Sequence, residues 1–402
     1  MKLGNNSLPY IEVIMELPYI EVPKDENDSR YAKSFNICND NDINNAISFI
    51  KEYGYVVISN VYNSKECEET RDEMWSIIEN QSITTNDNNI INQLNRDDPK
   101  TWSAFKSAGK YGLGSRGPCF NKTLIKNRQN PLLIKALSSI VDVPINDLMV
   151  SHDRYTIYRA TKLAENEIES QLFSTGSRNV HLDVNPWWWD ESSNDVVEGV
   201  ESINYDDPKD FIKENNLVVK NMGQHIQCVL NFADNHEDDG GTMIVPGFHK
   251  YYKQWIEKYK NLKKNIPWVQ FSGYNNKLKD ECLEAEKELL ECAQRIPMRE
   301  GSVLIWYQIM FHGTSPNIST RCRIGQFLKA FPRSMTFKHD NGNNNTNNID
   351  NTETNNDSNR TSIYSTKRLV KRAELLKKCL EETGALELVS NEGQLIFGLD
   401  VL

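Results

Sequence analysis

The sequence predicts a mainly β domain with flanking helices, a barrel or jelly roll, and three observations carry that expectation. Between Leu148 and Phe331 short β-rich runs recur, joined by Gly, Pro and Asn turns. Helical periodicity dominates only before that stretch, after it and in two interruptions within it. Hydrophobic residues fill 38% of the 402 positions, enough for one large core beside an unusually polar remainder.

The chain opens with a direct repeat, Leu8 to Val13 and Leu17 to Val22, both reading Leu-Pro-Tyr-Ile-Glu-Val. Its prolines favour an extended or disordered arm over residues 1–39. Asp40 or Asp42 then caps a helix with Ile43, Ala46, Ile47 and Ile50 on one face, and Gly54 ends it before the β-branched run Tyr55 to Ile58. Ser64 opens a second helix, with Cys67, Met74, Ile77 and Ile78 apolar and Glu66, Glu68 and Glu69 near its positive end. Asn130 to Val143 is a third. The strand runs are Leu148 to Tyr158, Val180 to Val184, His225 to Phe232, Thr242 to Val245, Ser302 to Phe311 and Cys322 to Phe331, with Gly313 to Asn317 as a turn between the last two. Tyr251 to Lys264 and Asn276 to Arg295 are amphipathic and belong outside the sheets. Ten of the twenty residues 340–359 are Asn, with no aromatic among them, so 340–360 is predicted as a disordered insertion. Residues 40–339 form the domain, its jelly-roll core at about 148–331. In 361–402, Leu369, Ala373, Leu376 and Leu380 make a last helix, and Leu395 to Leu402 packs back on the domain.

Composition excludes several functions. No apolar run approaches the roughly 18 residues that span a bilayer, and Met1 to Tyr10 lack the pattern of a secretory leader. A net charge of -10 argues against a nucleic-acid partner, and the basic stretches Lys258 to Lys264 and Lys367 to Lys378 read as solvated helix faces. Eight cysteines form no CxxC pair, the pattern of reduced thiols in a cytoplasmic protein.

His181-Leu182-Asp183 lies in an extended stretch, where residues i and i+2 leave the same face and suit two ligands of one metal. Seven His and 25 Asp predict about 0.4 such spacings by chance, and a second copy, His236-Glu237-Asp238, sits in an acidic run that reads as a solvated turn. The first copy has better company. His312 ends an apolar run, and Arg323 follows eleven residues later. Two histidines and one carboxylate on one face of an octahedron leave three positions open, the set used by non-haem Fe(II) oxygenases. A 2-oxoacid fills two of these and O₂ the third, and the far carboxylate of 2-oxoglutarate calls for a planar cation such as Arg323.

The order of these pieces resembles the phytanoyl-CoA dioxygenase family. The resemblance runs from about Asp42 to Phe331: the first helix with Gly54 to Ile58, the His181-Leu-Asp183 pair, the stretch Gly240 to Lys250, then Pro297 to Ile305 leading into His312-Gly-Thr314 and Arg323. It implies a double-stranded β-helix (a cupin-like jelly roll), with His181, Asp183 and His312 as iron ligands and Arg323 with Thr314 on the 2-oxoglutarate carboxylate. Arg321 shares a face with Arg323 on alternating geometry and is the competing candidate or a helper. Gln227 is a further candidate for the cosubstrate, as are Arg154, Arg159 and Lys162 for a second cation. Trp187, Trp188 and Trp189 are a candidate substrate wall or packing, and the insertion Glu191 to Lys220 a candidate lid.

The expected protein is a cytoplasmic Fe(II)- and 2-oxoglutarate-dependent dioxygenase that hydroxylates an unactivated C–H bond of a small organic substrate, releasing succinate and CO₂. O₂ is the co-substrate and ascorbate the reductant in vitro. No nucleic-acid partner and no membrane span are expected, and the sequence leaves the oligomeric state open. Two rival classes are a non-catalytic jelly-roll binding module, which should lack a ligand or the arginine, and a cupin-like metalloenzyme that does not need Arg323.

Overall fold

The structure is a computed structural model and describes residues 16–81, 94–104, 114–115, 117–162, 178–183, 186–188, 203–215, 225–262, 269–270, 279–334, 336–338, 360–362 and 365–402. Two antiparallel sheets organise it. The larger runs β1 (Tyr55–Ile58), β9 (Val303–Tyr307), β5 (Ile226–Asn231), β11 (Arg323–Pro332) and β2 (Leu148–Val150), with β3 (Tyr155–Tyr158) also on β11. The smaller runs β7 (Val269–Gln270), β4 (Asn179–Leu182), β10 (His312–Asn317), β6 (Asp239–Ile244) and β8 (Gln294–Arg295). From β4 through β5, β6, β9 and β10 to β11 the chain alternates between the two sheets, which is the winding of a double-stranded β-helix.

The strand sequences explain their place. β1, β5 and β9 are buried along their whole length; β1 and β9 read as continuous apolar runs rather than alternations, and β5 carries Gln227 and Asn231 among its apolar residues. Helix Asp40–Tyr53 is capped by the Asn39 side chain and ends at Gly54, one residue before β1. Helix Pro131–Val141 starts on Asn130, whose side chain accepts from the N–H groups of Leu132 and Leu133. Helix Ser64–Gln81 stands where the sequence places it, and the sequence reading missed helix Lys122–Arg128.

The segment Gly313 to Asn317 is a strand and not a turn. Its proline is tolerated because β4 pairs only with His312 to Thr314, so Pro316 lies beyond that ladder and its missing N–H removes no bond to β4. The run Leu148 to Tyr158 is two strands, β2 and β3, and strand pairing resumes at Arg360, within the range predicted as disordered, where β13 (Arg360–Ser362) pairs with β12 (Thr336–Lys338). The Asn-rich residues 340–359 lie outside the described residues, as does the first copy of the N-terminal repeat. The second copy docks: Leu17 and Val22 are buried, the Leu17 and Val22 N–H groups donate to Glu288 and Gln294, and Gln294 donates back to the Ile20 carbonyl.

The insertion before β5 contributes helix Asp210–Asn215, which is tied to the C-terminal helix Thr366–Glu382 by the fully buried pair Glu214–Arg372 at 2.9 Å. Arg372 also donates to the carbonyls of Phe397 and Val150, joining helix, tail and β2. No residue of that helix lines the central cavity, so this part of the insertion is an anchor and not a lid. Seven cysteines are unpaired thiols, and among the described residues no helix is long and apolar enough to cross a membrane.

Beside this anchor His152 is fully buried between Phe120, Phe211 and Phe397, with neither ring nitrogen partnered among the described residues. Burial first, then the charges of Arg128 and Arg372, hold its pKa well below the ordinary value. The neutral ring is therefore the folded form, and its effect on stability is flat above the unfolded pKa of about 6.5. Below that the unfolded chain gains a proton that the folded one refuses, so stability falls with pH by up to about 1.4 kcal/mol per unit. Urea midpoints at pH 7.5 and 5.5 should drop less in His152→Leu than in the wild type, and equal drops would refute the assignment.

Candidate metal centre

Strand β4 ends at Leu182, and His181 and Asp183 leave it on the same side. Strand β10 lies antiparallel on β4 with His312 directly opposite His181 and Gly313 opposite Val180. The contact requires glycine: a Cβ at Gly313 would fall 1.8 Å from the Asn179 carbonyl oxygen. The two imidazole rings consequently stand 4.4 Å apart, and their Nε2 atoms are 3.5 Å (His181) and 3.9 Å (His312) from one carboxylate oxygen, Asp183 Oδ1. One ligand atom from each of the three lies within 4.8 Å of the others, the one such His/Cys/Asp/Glu group of three among the described residues.

The protonation states suit a cation. His312 Nδ1 donates to the Met310 carbonyl at 3.0 Å, leaving the lone pair on Nε2. Burial, with His181 alongside, pushes the His312 pKa down to about 3 and keeps the ring neutral. Burial alone would raise the Asp183 pKa, but the Lys329 charge and a hydrogen bond from His181 outweigh it, so the carboxylate stays ionised. Two imidazole nitrogens and one carboxylate oxygen facing one point are the donor set that ferrous iron accepts. His181 and Asp183 keep 31% and 25% of their side-chain surface exposed against 9% for His312, so the site opens on their side.

These residues line a cavity of about 360 Å³. Arg323 also lines it, 2% exposed, and its Nη2 donates to Thr242 Oγ1 at 2.9 Å while its Nε has no partner. Burial and the nearby Arg295 pull its pKa down to about 10, so it remains a cation, and no carboxylate pairs with it among the described residues. A buried, incompletely bonded guanidinium is a site for an anion. Room for it comes from Gly241, at φ 126°, where a Cβ would lie 3.1 Å from Arg323 Cδ. Thr314 faces Thr242 in the β10–β6 register, two residues from His312, and accepts from Asn179 Nδ2 at 2.9 Å.

Other expectations resolve differently. Gln227 lines the cavity with its Nε2 unpartnered among the described residues, in a row with Trp306 and Lys329 on the neighbouring strands. Arg321 pairs with Asp239 at 2.8 Å and does not line the cavity; alternation with Arg323 fails because β11 begins at Arg323, leaving Arg321 in the turn before it. Arg154 lines the cavity beside Asp153, whereas Lys162 does not line it and Arg159 donates to the Trp102 carbonyl. Trp187 is packing: its indole donates to the Ile256 carbonyl and lies near Trp255, away from the cavity. Trp188 starts no wall that can be described, since its side chain and all of Trp189 lie outside the described residues. His236 is not in that three-residue group; its Nε2 meets the Tyr31 hydroxyl at 2.9 Å and helps hold the N-terminal arm. The sequence reading missed Lys329, whose Nζ is 2.6 Å from Asp183 Oδ2, although it stands six residues from Arg323 on one strand and so on the same face.

Residues 211–325 match the family model described as phytanoyl-CoA dioxygenase (PhyH). A Dictyostelium discoideum protein carrying the same family name is 33% identical over 295 residues, 72% of this chain and 76% of that one. Among solved structures, GlcNAc Inducible Gene 2 of Candida albicans is 12% identical with a TM-score of 0.49, over 88% of this chain and 75% of that chain. The epimerase SnoN, solved with Fe3+, alpha ketoglutarate and nogalamycin RO, is 12% identical with a TM-score of 0.40, over 74% and 87%.

The contact of Gly313 with Asn179 yields a direct test. Gly313→Ala must push β10 off β4 and should cost more than about 3 kcal/mol, a fall in melting temperature of roughly 4 °C or more. Gly117→Ala, where an added Cβ meets nothing within 4 Å, is the control and should leave the melt unchanged.

Proposed function

The chain belongs to the phytanoyl-CoA dioxygenase family of iron- and 2-oxoglutarate-dependent oxygenases, and from that premise we propose that it hydroxylates an unactivated C–H bond of a small organic molecule. The observation that carries the reading is the convergence of His181, Asp183 and His312 on one point in the cavity that Arg323 also lines. When bound there, ferrous iron with 2-oxoglutarate and O₂ supplies the oxidant, and the 2-oxoacid leaves as succinate and CO₂.

The chain's own residues do the rest. His181 Nε2, Asp183 Oδ1 and His312 Nε2 would hold the metal. Arg323, with Thr242 fixing its guanidinium and Thr314 beside it, takes the far carboxylate of 2-oxoglutarate. Val229 and Phe327 give the cavity apolar walls that exclude water from the reacting centre and hold the substrate near it. No acid or base is asked for in this scheme, and ascorbate serves as the reductant in vitro.

Stoichiometric succinate release under Fe(II), ascorbate and 2-oxoglutarate tests the reading, and its absence with every candidate substrate would favour a non-catalytic module. His181→Ala, Asp183→Ala and His312→Ala should each abolish iron retention and turnover, while His236→Ala does neither. Iron content after desalting checks this, and loss of iron from the His236 variant alone would reverse the choice of motif.

Arg323→Ala should retain iron and raise the 2-oxoglutarate concentration needed by about 10-fold to 1000-fold, since a buried charge pair is worth roughly 1.5 to 4 kcal/mol. Arg321→Ala, which removes a half-exposed arginine that does not line the cavity, should change the titration less than about 3-fold. Equal shifts in the two variants would remove Arg323 from this role.

A further inference from the structure

Lys329 has no part in the scheme above, yet it is 4% exposed and touches the one carboxylate of the metal centre. Its backbone is fixed: the Lys329 N–H donates to Ser151 Oγ at 2.8 Å, the Ser151 N–H donates to the Lys329 carbonyl at 2.9 Å, and β5 pairs it with Gln227. The side chain, 5% exposed, lines the cavity and reaches Asp183.

The carboxylate is thereby divided between two tasks. Oδ1 faces both histidine Nε2 atoms, whereas Oδ2 is held 2.6 Å from the ammonium. We propose that Lys329 is a positioning residue that confines Asp183 to ligation through one oxygen and sets a fixed positive charge beside the metal centre, favouring the dianionic cosubstrate over the bare cation. The proposal rests on His181, Asp183 and His312 being the ligands. A carboxylate that chelates through both oxygens would fill a fourth position and leave two for the three atoms that a bidentate 2-oxoacid and O₂ require. The charge acts in two opposite senses, because an ammonium repels a divalent cation and attracts a dianion in a site of low dielectric.

That opposition separates the proposal from a packing role, which predicts that both affinities fall together. The full-length protein is titrated with Mn(II), followed by electron paramagnetic resonance and by water-proton relaxation, and then with 2-oxoglutarate, so no turnover is needed. Lys329→Met should bind Mn(II) at least about 3-fold more tightly and 2-oxoglutarate at least about 10-fold more weakly, and the manganese should lose one exchangeable water. Lys329→Gln, which can still donate to Oδ2 without the charge, should keep the water count while weakening 2-oxoglutarate, and Lys329→Arg should restore both affinities. Parallel losses in both affinities, or an unchanged water count in Lys329→Met, would overturn the proposal. Should His181→Ala bind Mn(II) as the wild type does, the ligand assignment itself fails, which is a distinct result from any obtained at Lys329.

Discussion

Strand β10 lies against β4 in the register that sets His312 opposite His181, and everything the cavity can hold depends on that pairing. Side chains alternate along a strand, so a slip of one residue would carry His312 out of the cavity and Gly313 away from the only backbone approach it is there to permit. The opposite edge of β10 is fixed as well, with His312 facing Ile244 and Thr314 facing Thr242 on β6. Thr242 accepts the hydrogen bond from Arg323. One strand therefore locates the proposed metal ligands and the proposed anion site together, on rigid sheet rather than on loops.

Buried arginines elsewhere in the molecule show what is unusual about Arg323. Arg128 donates to the carbonyls of Cys119 and Asp153, Arg295 to four backbone carbonyls and to Asn235, and Arg372 to Glu214. Each of these holds chain segments together. Arg323 is equally buried and reaches one threonine hydroxyl. A desolvated cation left so poorly served is costly unless a ligand completes it, which is why its place in the cavity wall carries more weight than its burial alone.

Much of this was legible in the residues. The His181–Asp183 spacing, His312 at the end of an apolar run and Arg323 eleven residues on are local patterns, and local patterns survive without a fold. The limits are equally physical. Pro316 and Gly313 look like turn chemistry, and only the short reach of β4 along β10 shows why a strand tolerates them. Arg321 shares a face with Arg323 only if alternation holds, and it holds only inside a strand, whereas Arg321 precedes β11; Trp187 follows closely on Asp183, yet it lies in a 3-10 turn with its indole bonded to the Ile256 carbonyl. Lys329 carries no motif at all. Its meaning appears once β11 is known to run unbroken from Arg323 to Pro332 with one face toward the cavity.

The docking of the second Leu-Pro-Tyr-Ile-Glu-Val copy bears on how the protein should be handled. Gln294, which clamps Ile20 and Val22, is also a residue of β8, and β8 pairs with the end of β6 at Met243 and Ile244. Its neighbour Arg295 donates to the Thr242 carbonyl at 3.0 Å, next to the hydroxyl that steadies Arg323. The arm is thus a brace on the sheet edge one strand from the anion site. A preparation clipped or cloned to start after Val22 would keep every residue of the cavity while loosening the strand that holds its guanidinium, so weak cosubstrate binding in such material would report on its boundaries and not on its chemistry.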